Sequence, residues 1–185
     1  AAANGTLIER TVSTMGAGKV NLAMTLVNGL LQAEFDVDGA TGAVLTAPAR
    51  YALAAGLWSH VAMSYGSDGT LALYINGQLV ASIAAAQQQP LTAAAGLVST
   101  KVGEGFTGRV DDVRVWSYVR GEYQLNAAMD AVLSGNEYGL VAYYRFDDVA
   151  AGRTGLYRDA VADGAQAAAS DWLNDWENAA RLVAG

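Results

Sequence analysis

The 185-residue chain contains no cysteine. Disulfide staples, thiolate metal sites and cysteine nucleophiles are therefore excluded together. It carries a single histidine, His60, so a multi-histidine zinc centre is excluded and any Ser-His-Asp triad would have to be built on that one ring. Charged residues make up only 16% of the chain, with 11 Lys+Arg against 18 Asp+Glu and a net charge of -7. That balance argues against nucleic acid and anionic membrane as partners, because both select basic surfaces. No apolar run approaches the roughly 18 residues needed to cross a bilayer, so no membrane insertion is expected. The opening Ala1-Ala2-Ala3-Asn4-Gly5 has neither the charged n-region nor the apolar core of a secretion signal. It reads as a mature chain or as a fragment or module of a larger protein.

What is present points to one packed domain over residues 1–185. Hydrophobic residues reach 52%, enough for a sizeable core. With 21 glycines and only two prolines, Pro48 and Pro90, glycine must make most turns. Asn-Gly or Asp-Gly pairs fall at Asn4-Gly5, Asn28-Gly29, Asp38-Gly39, Asp68-Gly69, Asn76-Gly77 and Asp163-Gly164, supplying the positive φ that tight hairpins require. Runs of strand length lie between them: Lys19 to Val27, Leu30 to Val37, Trp58 to Tyr65, Thr70 to Ile75 and Gln78 to Ile83. Leu71, Leu73 and Ile75 alternate with Ala72 and Tyr74, and Val61, Met63 and Tyr65 with His60, Ala62 and Ser64, the period-2 signature of strands buried on one face. From Arg120 to Leu133 the pattern changes, and Leu125, Ala128, Met129 and Val132 mark a helix face. A further strand is expected over Leu140 to Phe146. Asp171 to Val183 reads as a short helix or an irregular tail, and if helical it places Trp172 and Trp176 on one face. The expected fold is an all-β, two-sheet antiparallel sandwich with one short helix near 120–133.

Three sets of residues carry possible chemistry. Val110 and Val113 are three apart, out of phase for a flat strand, while Val113 and Val115 resume the alternation. That slip predicts a β-bulge at Asp111-Asp112, and bulges often re-aim side chains at functional positions. Glu34, Asp36 and Asp38 share a face at period 2, an arrangement open to glycosidase chemistry by Glu34 and Asp38. Asp38 runs straight into Asp38-Gly39, however, and a short acid at a strand end holds that geometry poorly, so a solvent-facing strand is preferred. His60 has no orienting carboxylate within sight of the sequence and reads as structural. Trp58 and Trp116 read as core or sheet-face packing, and Tyr143 and Tyr144, adjacent on a strand, must point to opposite faces.

Two stretches resemble a known family. Leu57 to Ser82, with WSHVAMSYGSDGTLALYINGQLVAS, resembles the W-x-H-V-A, turn, L-x-L-Y-x-N-G hairpin of laminin-G-like jelly rolls in the concanavalin A-like lectin/glucanase superfamily. Gly105 to Asp148 continues with GFTGRVDDVRVW, the helix, and GLVAYYRFDD in the family's order. The resemblance covers roughly residues 6 to 160 and implies an antiparallel jelly roll of two sheets. It also implies a structural calcium held with the help of Asp111 and Asp112, calcium being a cation that prefers hard oxygen ligands. The family's usual opening motif, F-D-G-x-x-D-Y-V with its strand pair, is missing, and the chain starts at the next strand, Thr6 to Thr11. Either the N-terminal part was cut away, or the missing strands come from another chain or a rearranged order. A sandwich lacking strands exposes unpaired edges, so a partner segment is expected to complete the sheet by strand addition. The resemblance implies a non-catalytic binding or adhesion module for carbohydrate or protein ligands, extracellular or at the cell surface. A structural building block of an adhesin, filament or surface assembly is the alternative, and a glycosidase using Glu34 and Asp38 the third.

Overall fold

The computed structural model describes residues 3–14, 17–35, 43–84, 98–146 and 176–184. Its strands are β1 (Gly5–Thr14), β2 (Ala17–Val27), β3 (Leu30–Phe35), β4 (Ala43–Thr46), β5 (Trp58–Tyr65), β6 (Thr70–Ile75), β7 (Gln78–Ala84), β8 (Val98–Val102), β9 (Gly108–Trp116), β10 (Leu140–Tyr144) and β11 (Trp176–Ala184), with helix α1 (Glu122–Ala128) between β9 and β10. They form a five-stranded sheet in the order β4-β3-β2-β1-β8 and a six-stranded sheet in the order β10-β9-β11-β5-β6-β7. All pairings are antiparallel. This is the two-sheet sandwich expected from the alternation.

The two-residue turns form where the sequence places Asn-Gly. Asn28 and Gly29 join β2 to β3 with φ of 53° and 78°, and Asn76 and Gly77 join β6 to β7 with φ of 50° and 73°. Positive φ at both central residues matches the twist of the flanking strands. Gly77 is further constrained, because a Cβ there would collide with the side chain of Asn126, which donates to the Gly77 carbonyl at 3.0 Å.

The interior lies between the sheets. Leu7, Leu22, Met24, Leu26, Leu31, Ala33 and Phe35 meet Val61, Met63, Tyr65, Leu71, Leu73, Val113 and Val115 in one buried cluster. Alternate residues on each strand supply it, as the period-2 pattern requires. Phe35 of β3 and Tyr65 of β5 stack across the gap with centroids 3.9 Å apart and planes 11° from parallel. Each large aliphatic side chain buried here stabilises the fold by about 1.5–3 kcal/mol.

The structure corrects the reading of the C-terminal segment. Asp171 to Val183 was expected as a short helix or an irregular tail; Trp176–Ala184 is instead a strand, β11. It pairs with β5 on one side and β9 on the other, two strands that do not pair with each other. A strand from the C-terminal part of the chain thus completes the middle of this sheet. Trp176 begins that strand, while Trp172 lies outside the described residues, as do Asp36, Asp38 and the turns at Asp38-Gly39 and Asp163-Gly164. Helix α1 is shorter than the 120–133 expected: Leu125 is buried, but Val132, on the same predicted face, is 69% exposed.

Ala179 of β11 is paired on both flanks, with Ala62 of β5 and Arg114 of β9. Ala179→Pro removes a ladder donor in mid-sheet and leaves a carbonyl without its partner. We expect a loss of roughly 1–3 kcal/mol, read as a lowered midpoint in urea denaturation.

Candidate functional site

The outer face of the six-stranded sheet is divided by helix α1. One row of residues crosses every strand of that sheet: Leu79, Tyr74, Ala62, Ala179, Arg114 and Tyr143. The helix lies along this row. Near its start, Glu122 accepts a hydrogen bond from the Leu79 N–H at 2.7 Å. In its middle, Leu125 packs on Ala62, Ala72 and Tyr74. At its end, Arg114 donates to the carbonyls of Ala128 and Ala131, both at 2.6 Å. The Gln124 side chain accepts from the Gly121 N–H at 3.1 Å, half of a capping box that starts the helix. Seven residues would be marginal alone; these docking contacts hold them.

The guanidinium that ends the helix depends on the bulge. Between Ala179/Arg114 and Arg181/Asp111 the β9 register slips by one residue, and Asp112 takes a φ of 51°. This is the bulge expected from the Val110–Val113 spacing. It turns Asp112 toward the outer face, where its carboxylate accepts from the Tyr143 hydroxyl at 2.6 Å and faces Arg114 at 3.7 Å. Arg114 is 3% exposed and also lies against the Tyr143 ring. A buried arginine is costly unless compensated, and here it meets a carboxylate, two carbonyls and an aromatic face.

This geometry bears on the cation expected at Asp111 and Asp112. Asp112 is committed to Tyr143 and Arg114, and Asp111 accepts from the Asp112 N–H at 3.0 Å. No group of three potential metal ligands converges among the described residues. The donor set here does not fit a calcium cage, because a guanidinium already stands beside the carboxylate that would carry most of the metal's charge.

A pocket opens on the other side of the helix. It is an open cavity of ≈ 360 Å³ at the β5–β6 hairpin, lined by Ser64, Gly66, Ser67, Asp68, Thr70, Ala72, Tyr74 and Val119. Ser64 and Ala72 pair across β5 and β6 and make a flat floor, because neither side chain rises far from the sheet. Tyr74 forms its helix side. The rim is the Gly66–Gly69 loop, closed by the Gly66 N–H on the Thr70 carbonyl at 2.9 Å. Asp68 accepts from the Thr70 N–H and from the Thr70 hydroxyl, both at 2.9 Å. These bonds, the backbone one foremost, hold the Asp68 carboxyl below its ordinary pKa, so it stands ionised with acceptor positions to spare. The arrangement offers hydroxyls, a carboxylate and an apolar ring wall, which suits a polyhydroxylated ligand.

The other sequence candidates are scattered. Glu34 of β3 is on the five-stranded sheet, paired with Ala23 and Val44, a different sheet from the pocket. His60 is buried on β5, its N–H donating to the Asn76 side chain at 3.0 Å and its carbonyl accepting from the Asn76 N–H at 2.8 Å, in keeping with a structural histidine. Trp116 packs with Leu140 and Tyr143 beneath Arg120, whose guanidinium lies 3.9 Å from its ring centroid. Tyr143 belongs to that outer cluster and Tyr144 to the main core, on opposite faces as expected. Trp58 lies on a sheet face with Arg109 over its ring and is 41% exposed. The pocket escaped sequence reasoning because Ser64, Ala72 and Thr70 carry no motif; the available signal was small residues on the outward phase of two adjacent strands.

Burial, and after it the hydrogen bond to Asp112, raises the Tyr143 phenol above its ordinary value near 10. Above that pH the unfolded chain releases this proton while the folded chain retains it, so the contribution to stability is intact below pH 10 and is lost as pH rises beyond it. We expect the stability of the chain to fall more steeply above pH 10 than that of Tyr143→Phe, measured by urea denaturation across pH 8–11.5.

Comparison with known proteins agrees with this architecture. The family model for the laminin-G type of the concanavalin A-like lectin/glucanase superfamily matches residues 2–126, more than half of the chain. A solved structure of a candidate carbohydrate binding protein from Bacteroides ovatus superposes with a TM-score of 0.61 at 21% identity. That alignment covers 98% of this chain and 50% of the other, so the chain spans half the length of that protein. A search of curated proteins finds no match. With the family model, the sandwich and its hairpins in agreement, the chain belongs to the concanavalin A-like lectin/glucanase superfamily.

Proposed function

We propose that the chain is a non-catalytic carbohydrate-binding module, with a sugar held in the pocket between the β5–β6 loop and helix α1. The observation that carries this reading is the pocket's make-up: a floor of Ser64 and Ala72, a Tyr74 wall, and an ionised Asp68 beside the hydroxyls of Ser67 and Thr70. Sugar hydroxyls donate well to a carboxylate, and the C–H face of a pyranose packs on an aromatic or small apolar surface. The superfamily and the Bacteroides ovatus neighbour support a carbohydrate ligand. The fold alone hosts binding modules and enzymes alike, so the assignment rests on the site. Among the described residues the pocket contains one carboxylate, Asp68, whereas glycoside hydrolysis in most families needs two. An extracellular or cell-surface setting, where polysaccharide is met, belongs to the same proposal; no helix among the described residues is long and apolar enough to cross a membrane.

Glycan-array binding tests it. The wild-type chain is expected to retain a subset of neutral oligosaccharides. Asp68→Asn keeps one oxygen for Thr70 but loses the charge, and should weaken retention by about tenfold or more with the fold intact by circular dichroism. An unchanged array profile in Asp68→Asn would remove the pocket from consideration.

The structural calcium that the resemblance implies at Asp111 and Asp112 is tested apart from the sugar site, because Arg114 already stands beside the Asp112 carboxylate. Thermal melts in excess calcium and in EDTA decide it. A midpoint several degrees higher in calcium, lost in Asp111→Ala, supports the metal. Equal midpoints assign the charge balance at the bulge to Arg114.

A further inference from the structure

The second half of the outer face, beyond helix α1 from the pocket, carries a different surface. There β11 runs between β5 and β9, and Val183 is in register with Trp58 on one side and Arg109 on the other. Val110 packs toward the core, so Arg109 points outward, as Trp58 does from the opposite phase to Val61 and Met63. Their side chains meet over β11, with the Arg109 guanidinium carbon 5.6 Å from the Trp58 ring centroid. This is a loose contact: the comparable pair, Arg120 on Trp116, closes to 3.9 Å over a tryptophan that is only 2% exposed. Trp58 instead leaves 41% of its surface to solvent, and Arg109 is exposed and makes no ion pair among the described residues.

We propose that Trp58 and Arg109 form a second saccharide site selective for acidic sugars of the uronate class. An exposed indole offers a flat apolar face for the C–H side of a pyranose, and an adjacent guanidinium offers paired N–H donors matched to a carboxylate. A uronic acid presents both groups on one ring, with its carboxylate at the edge. The local charge adds discrimination. The chain as a whole carries -7 and repels anions at long range, so an acidic ligand is retained only where a cation is presented together with a stacking surface. Trp58 and Ser64 are six residues apart on β5, about 20 Å along the strand, with helix α1 docked on Ala62 between them, so the two sites are separate.

This inference rests on the carbohydrate-binding reading, and the experiment separates the two. Trigalacturonate and the matched neutral trigalactoside are titrated by calorimetry into the wild-type chain, Arg109→Gln, Trp58→Ala and Asp68→Asn. The expected result is that trigalacturonate binds the wild type, loses about tenfold or more in Arg109→Gln and in Trp58→Ala, and weakens as salt is raised. A short poly-glutamate peptide should not compete. Trigalacturonate binding that is unchanged in Arg109→Gln, or absent while a neutral glycan binds, overturns the acidic-sugar site and leaves the pocket standing. Equal competition by poly-glutamate overturns it as well, because a carboxylate alone would then suffice. If no glycan of either kind binds on the array or in calorimetry, the carbohydrate reading fails and this site with it.

Discussion

The six-stranded sheet depends on the last strand of the chain. β5 and β9 are both antiparallel to β11 and do not pair with each other, so among the described residues β11 supplies the strand pairing between the two halves of that sheet. One half is β10-β9, and the other is β5-β6-β7. Without the inserted strand two rows of backbone N–H and C=O groups would be left open, a liability that folded proteins avoid. Closure has a kinetic corollary. β11 pairs with strands more than 60 residues earlier in the chain, so the loop-closure cost is met before the contacts repay it, and docking of β11 is expected to come late in folding.

The insertion also organises the outer face. Its register with β9 slips at the bulge, which turns Asp112 toward Tyr143 and Arg114. Arg114 in turn holds the C-terminal end of helix α1 through two carbonyls. A seven-residue helix has too few internal bonds to persist alone; it is held because one end is bound to β7, its middle to Ala62 and Tyr74, and its last turn to a buried cation. The helix then splits an otherwise continuous face into two compartments. The Ser64–Asp68 pocket and the Trp58–Arg109 surface are both consequences of where that bar lies.

Much of the fold was legible because the informative interactions are local. Asn28-Gly29 and Asn76-Gly77 state their turn geometry in two residues, and β5 and β6 have the boundaries that alternation gave them. The bulge was legible for the same reason, since a one-residue slip between Val110 and Val113 shows in a window of four. β11 was not. Its sequence, WENAARLVA, is rich in good helix formers and lacks strict alternation, so local propensity favours a helix. A strand paired on both sides in mid-sheet gains enough from its two ladders to override that preference. β4, with four residues, and β8, with five, are too short to carry a periodic signal. The site was the least legible part. The metal at Asp111-Asp112 was implied by the family resemblance, and what the sequence did not show is that Arg114, two residues further on, stands beside Asp112. The pocket is made from Ser64, Ala72 and Thr70, whose significance is that they are small and face outward together, and only strand pairing reveals that.

The two compartments differ in the physics available for recognition. In the pocket, Asp68 is ionised and its loop is fixed by backbone bonds, so the groups that would meet a ligand are ordered before it arrives and little conformational entropy remains to be lost. On the Trp58–Arg109 surface the indole is rigid, but the guanidinium is on a flexible stem at the sheet surface, and ordering it opposes binding. That loss is offset only by a strong, directional partner. A neutral hydroxyl in water returns little for fixing an exposed arginine, whereas a carboxylate returns two charge-assisted bonds and a Coulomb attraction. The selectivity proposed for an acidic ring thus follows from exposure itself: the more mobile the cation, the more charge its ligand must carry to hold it.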